Sequence, residues 1–279
     1  MDPLIDHVVV DVRDRMEEGA RRYRALGFTL TPLGRHSLGS ANHLAIFGRD
    51  YLELLGTDVP GGALRPDLAG FPVGLNGLVF LARDAERLQA QQQARGVPVQ
   101  GVVNFFRPVI YPDGSRADAR FNVVRLDIAA AFDGRMYWCE HLTPEHVWRP
   151  EWQEHPNGAL GVARVLISVR DPARQVALFT RIFGPAHLSE GPEGRRLLKA
   201  GQAVVEFAPH AAVRAELGEA APDPAGRGDH MALVGIRVRD LAAAEAVLRA
   251  NGVQGVATLP GRVRVPASEA MNATIDFMA

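Results

Sequence analysis

The chain has 279 residues, 47% of them hydrophobic, and a formal net charge of −1: enough apolar content for two packed cores, and too little charge for bulk attraction to nucleic acid or an anionic membrane. Its single cysteine, Cys139, excludes an internal disulfide and suits a reducing compartment. No apolar run approaches the roughly 20 residues of a membrane span, the opening residues lack a basic-then-apolar signal pattern, and a cytoplasmic location is expected.

The first predicted strand runs from Ile5 to Val12 and ends in Arg13-Asp14; Gly27 follows. The same sequence of events recurs at Gly77 to Leu81 with Arg83-Asp84 and Gly96. It recurs again at Val165 to Val169 with Arg170-Asp171 and Gly184, and at Leu233 to Val238 with Arg239-Asp240 and Gly252. Each Asp stands at a helix N-cap, where its carboxylate accepts from free backbone N–H groups. Glu17 in the first copy has the capping-box spacing, and Pro172 in the third suits the first helical position. Helical spacing of Met16, Ala20 and Tyr23, and of Val176, Phe179 and Phe183, fills the interval, and the glycine ends the helix.

Short strands come next: Phe28 to Pro32, Asn42 to Phe47 and Tyr51 to Leu55 in the first copy, and Ala186 to Ser189, Arg195 to Ala200 and Ala203 to Phe207 in the third. The repeating unit is therefore βαβββ, present four times. The longer interval between the second and third copies holds Pro144, Pro150, Pro156 and Gly158, which places a domain boundary near residue 155. The expected class is α+β, with one domain over 1–154, a second over 155–279, and two units in each.

Paired βαβββ units resemble the vicinal oxygen chelate superfamily (glyoxalases, bleomycin-resistance proteins and extradiol dioxygenases), and within it the glyoxalase-like domain proteins. The segments that carry the likeness are Gly39-Ser40-Ala41-Asn42-His43-Leu44 leading to Tyr51-Leu52-Glu53-Leu54-Leu55, and Cys139-Glu140-His141-Leu142-Thr143-Pro144-Glu145-His146-Val147-Trp148 with His155-Pro156-Asn157-Gly158. With His7 on the opening strand they cover residues 1 to about 160. The resemblance implies two vicinal-oxygen-chelate-like domains with cupped mixed sheets. It also implies a divalent metal, with zinc, iron, manganese or nickel suited to imidazole and carboxylate ligands.

The repeat register tests that implication. Seven residues before the repeated Asp stand His7, Gly77, Arg164 and Leu233, so one copy alone carries an imidazole there. Glu53, Glu140, Glu206 and Asp276 occupy similar contexts on the last strands. The expected metal ligands are His7, Glu53 and Glu140, a three-ligand site with Gly77 where a fourth would be. The bland alternatives are a half-buried strand histidine and two structural ion pairs. On a regular strand Glu140 and His141 face opposite ways, and a bulge would make His141 the ligand instead. Arg107 is either a clamp for a carboxylate or phosphate or a salt-bridge partner. His43 and Cys139 read as structural. The second half, with Arg164 and Leu233 in register, reads as a degenerate copy without metal.

Two functions compete. One is a metal-dependent lyase, isomerase or dioxygenase acting on a small oxygenated molecule, with Glu140 as proton carrier. The other is a non-catalytic protein that binds a small molecule, favoured by the space at Gly77. Exposed sheet edges also allow a homodimer.

Overall fold

The computed structural model describes residues 2–111, 113–128 and 130–279. The first unit comprises β1 (Ile5–Arg13), α1 (Met16–Ala25), β2 (Gly34–Arg35), β3 (Ala41–Ile46) and β4 (Tyr51–Gly56). A single helical turn, α2 (Pro66–Ala69), leads to the second: β5 (Gly74–Leu81), α3 (Ala85–Ala94), β6 (Val103–Ile110), β7 (Arg116–Arg125) and β8 (Arg135–His141). The third has β9 (Ala159–Val169), α4 (Pro172–Phe183), β10 (Leu188–Glu190), β11 (Arg196–Ala200) and β12 (Ala203–Pro209). Helix α5 (His210–Leu217) precedes the fourth: β13 (His230–Val238), α6 (Leu241–Ala250), β14 (Ala257–Leu259), β15 (Arg262–Val265) and β16 (Thr274–Met278).

Each pair of units makes one eight-stranded mixed sheet, in the orders β2-β3-β4-β1-β5-β8-β7-β6 and β10-β11-β12-β9-β13-β16-β15-β14. The opening strands of the paired units lie antiparallel at the centre, and each carries the last strand of its own unit parallel on its outer side. The architecture is the expected one. The strands of the first sheet end at His141 and those of the second begin at Ala159; the segment between them makes two short 3-10 turns.

The repeated Asp caps three of the four helices. Asp84 accepts from the Arg87 N–H, Asp171 from Ala173, and Asp240 from Ala242 and Ala243. The first copy departs: Arg15 holds the cap position without a side-chain bond, and Asp14 accepts from the Gly61 N–H instead. The cause is upstream. Asp11 takes the Arg13 N–H, and Arg13 adopts a left-handed φ of 54°, so the chain turns one residue early. All four repeated glycines have positive φ, the conformation in which a side chain would be strained. The predicted strand over Phe28 to Pro32 is absent; Phe28 instead inserts its ring into the core.

The alternation of each strand divides two environments. On the first sheet Val8, Val10, Val12, Leu78, Phe80 and Trp138 face the helices, whereas Val9, Leu44, Leu55, Val79, Phe121 and Tyr137 line the concave side. The helix-facing sides of both sheets share one continuous apolar core, where two separate cores were expected. Phe28 stacks on Phe277 at 5.8 Å and Phe80 meets Phe183 at 4.8 Å, so rings of the two halves interleave. Burial of each such side chain contributes about 1.5–3 kcal/mol. The connector is fastened to the first unit: His155 accepts from the Thr29 N–H and donates to the Ile46 carbonyl, and Asn157 donates to the Leu26 carbonyl.

Two outcomes follow from these contacts. Asp84→Ala removes a cap and should cost about 1 kcal/mol, measured by urea unfolding. Asp50 accepts from the Val162 N–H across the halves, and burial pushes its carboxyl up to about 7 against the pull of that bond and of Arg237. The folded chain then binds this proton more tightly than the unfolded chain, whose carboxyl titrates near about pH 4, so this group's contribution to stability falls as pH rises between those values. Melting temperatures of Asp50→Asn should lack that decline, and the difference from wild type should change through that window.

Candidate functional site

A bulge in β1 builds the first cup. Pairing with β5 slips between Ile5 and His7, which sends Ile5 to the shared core and leaves Asp6 and His7 reaching a common cluster on the concave side. His7, 3% exposed, donates from Nδ1 to the Asp6 carboxylate at 2.6 Å. Its Nε2 then faces the Tyr137 hydroxyl at 3.0 Å and Glu53 Oε2 at 3.7 Å. Tyr51 stacks on the imidazole at 4.4 Å and fixes its plane. His141 donates from Nε2 to the other Asp6 oxygen at 2.9 Å, beneath the rings of Trp148 and Phe121.

Asp6 is fully enclosed. Burial alone would raise its carboxyl, but His141 and His7 hold it well below the usual carboxylate range. Glu53 is also held low: burial opposes this, and His7, His36 and the 2.7 Å hydrogen bond from Asn42 outweigh it. Asn42 also donates to His36 Nε2, and burial, with Arg107 and Arg65 nearby, lowers His36 to about 4 despite the opposing pull of Glu53. Burial pushes the Tyr137 hydroxyl and the Cys139 thiol up, so Tyr137 remains a donor and Cys139 a neutral packing group.

Strand register identifies the counterpart of Glu53. Val9 pairs with Glu53, Val79 with Tyr137, Leu166 with Glu206 and Gly235 with Asp276. These partners all stand five residues before the repeated Asp, so the second unit offers Tyr137 where Glu140 was expected. Glu140 shares the opposite face with Met136 and Trp138, and its carboxylate accepts from the Ala85 N–H at the start of α3 and from Asn122. It lies outside the cup, and the expected set of His7, Glu53 and Glu140 does not converge. His141 faces the concave side by regular alternation, without a bulge in β8. His43 donates to the Thr31 carbonyl, as a structural histidine would.

Above His7 and Glu53 lies a cleft of about 530 Å³, its open mouth included, lined also by His36, Phe105, Phe121, Arg65, Arg107, Arg125 and Arg135. Arg107 enters it from β6, and no carboxylate pairs with it among the described residues. The sequence did not single out Asp6, His36 and Arg135, and it offered Tyr137 only as a pocket-lining aromatic. For Tyr137 the signal was available, because counting back from the repeated Asp points to the strand position that it pairs with. For Asp6 the signal is a bulge, which no residue type announces.

In the second cup the equivalent positions neutralise one another. Arg164 makes paired hydrogen bonds to Glu206 and to Glu216 of α5, and Arg264 does the same to Asp276. A guanidinium there fills the space between carboxylates.

The family model for the glyoxalase-like domain matches residues 5–183. The chain belongs to the glyoxalase-like domain family. No curated protein matches the sequence. Among solved structures, a hypothetical protein from Staphylococcus aureus is similar to this glyoxalase-like chain, with a TM-score of 0.66 at 12% identity over 99% of each chain. A mutant 4-hydroxymandelate synthase from Streptomyces coelicolor gives 0.59 at 12% identity, over 99% of this chain and 92% of that one. An Mn(II)-bound glyoxalase from Novosphingobium aromaticivorans gives 0.56 at 11% identity, over 99% and 82%. These likenesses establish the vicinal oxygen chelate fold, and the last shows that this fold accommodates a divalent metal.

The donor set of this chain fits such an ion poorly. His7 and Glu53 remain, but Gly77 has no side chain and a Cβ built there would lie 2.7 Å from the Val9 side chain. Tyr137 spends its hydroxyl on His7, and the cationic Arg107 and Arg135 share the cleft. Among the described residues, the three metal-ligating groups within 4.8 Å of one another are Asp6, Cys139 and His141. Their atoms already serve the histidine pair, and the thiol is neutral.

Removing the Asp6 carboxylate leaves two buried histidines without their shared acceptor. Asp6→Ala should lower stability by about 3–5 kcal/mol at neutral pH. Because the folded carboxyl is held low, that stabilisation is present above about pH 4 and is lost as pH falls further. Chemical unfolding of both proteins from pH 7 to pH 3 should show the gap narrowing.

Proposed function

We propose that the first cup binds a small oxygenated molecule and exchanges a proton with it, in a reaction of the lyase or isomerase type. The observation that carries this reading is the chain from Asp6 through His7 to Tyr137, ending beside an ionised Glu53 at the floor of the cleft. Asp6 accepts a hydrogen bond from the His7 Nδ1–H and so turns the Nε2 lone pair to the cleft, the orientation a general base needs. The Tyr137 hydroxyl, kept protonated by burial, can turn from His7 to an oxygen on which negative charge develops. Glu53, anchored by Asn42, accepts from a substrate hydroxyl. Each of these roles belongs to a side chain of the cup and needs no metal; of the four ligand places, Gly77 offers no ligand atom and Tyr137 offers a neutral phenol.

The stacked rings of Phe105 and Phe121 in the cleft wall also favour a second reading, sequestration without chemistry. Proton exchange separates the two. A panel of 2-oxo and 2-hydroxy compounds in D2O, followed by NMR with EDTA present, should show protein-dependent loss of the proton on carbon beside the carbonyl or hydroxyl. His7→Ala should slow exchange by about 10²–10⁴-fold, and Tyr137→Phe should slow it less. Binding without exchange would establish sequestration, and exchange that appears only after Mn(II) addition would restore the metal-dependent reading.

A further inference from the structure

We infer that the ligand carries a carboxylate, and that Arg107 with Arg135 forms the subsite that holds it. The inference rests on reading the first cup as a ligand site. It names the class of molecule.

Arg107 is 3% exposed, and its burial works against its own charge, so pairing would be expected. Instead Nε and Nη2 have no hydrogen-bond partner. These two nitrogens share one edge of the guanidinium, and their N–H bonds run parallel, at the spacing of the two oxygens of a carboxylate. The other edge is covered: a Cβ on Gly34 would lie 2.7 Å from Nη1 and 2.4 Å from Cδ, so glycine at 34 lets the side chain pass. The free edge is a planar fork without an occupant among the described residues.

Arg135 supplies the second cation. Its Nε donates to Asn76, whereas Nη2 is buried and unpartnered and lies 3.7 Å from where a Cβ on Gly77 would be. A guanidinium donor thus stands beside the position whose metal ligand is missing. The remaining arginines of the cleft are committed to Asp67, which Arg65 grips through two hydrogen bonds and Arg125 approaches at 3.5 Å. Glu53, the one acidic residue lining the cleft, is engaged by Asn42 and His7. Two buried cations with three unused donors match one small anion. The parallel pair on Arg107 can grip a carboxylate or a phosphate, and the negative charge of Glu53 in the same cleft favours the singly charged carboxylate over a phosphate dianion. In this cleft guanidinium groups provide the fixed positive charge that a dication provides in a metal-loaded cup.

Calorimetric titration in EDTA tests this with pyruvate and lactate, their uncharged methyl esters, and inorganic phosphate. The acids should bind at least about 10-fold more tightly than the esters, the factor expected of charge-assisted hydrogen bonds. Arg107→Met should erase that preference, and Arg107→Lys should restore only part of it because an ammonium lacks the fork. Arg107→Met should also raise the melting temperature of the unliganded protein, because it removes a buried unpaired charge; a purely structural arginine would lower it. Esters that bind and exchange protons as well as the acids would overturn the carboxylate subsite and leave the proposed function standing. Phosphate binding more tightly than either acid would reassign the subsite to a phosphorylated ligand and overturn the carboxylate class. Failure of all these compounds to bind, with no proton exchange, would overturn the subsite and the proposed function together.

Discussion

The antiparallel pairing of β1 with β5 is the contact on which the rest of the first half depends. A single βαβββ unit has one sheet edge on its opening strand and an apolar face too narrow to enclose anything. Joining two units through those edges satisfies both backbones and brings a strand from each unit's far end into one concavity. The bulge at Asp6 sits in this junction. It admits a carboxylate beneath His7 at the central junction of the two units, and β8 answers with His141 and Tyr137. Site and scaffold are therefore one construction. The register that closes the sheet also sets which side chains meet.

Much of this was legible in the residues. The repeated Asp and glycine mark events governed by local physics, a cap and a positive φ, and such events survive translation from sequence to structure. Three caps and four glycines stand where the spacing put them. The fold class and the double-unit organisation were legible for the same reason. Legibility failed where a single residue altered phase. Asp14 loses its cap role because Arg13 turns early, and Glu140 was matched to Glu53 by its neighbours' appearance when the strand pairing selects Tyr137. A similar-looking motif on a strand is a poor guide, because a shift of one residue exchanges inside for outside. Distance from a fixed cap is the better ruler, and Arg107 entered the cup on such regular alternation.

The two cups compare chemistries on one scaffold. Both hold acidic groups at the position paired with the fifth residue before the Asp, and both contain arginines. In the second, Arg164, Arg195 and Arg264 meet Glu206, Glu216 and Asp276, so each donor faces an acceptor and α5 adds Glu216 to the network. In the first, carboxylate Glu53 is engaged by amide and imidazole, leaving guanidinium donors without acceptors. The second cup pairs Arg164, Arg195 and Arg264 with carboxylates, whereas the first leaves guanidinium N–H groups of Arg107 and Arg135 without a partner among the described residues.

The shared core gives the second half a structural purpose. Phe277 of β16 and Phe183 of α4 lie against Phe28 and Phe80, so the second half supplies part of the surface against which the first is pressed. What the first cup requires from its twin is the shape of that surface. In the interior of the second cup the charges pair with one another, Arg164 with Glu206 and Glu216 and Arg264 with Asp276. A duplicated domain can in this way stop being a second workplace and become the bench on which the first one stands.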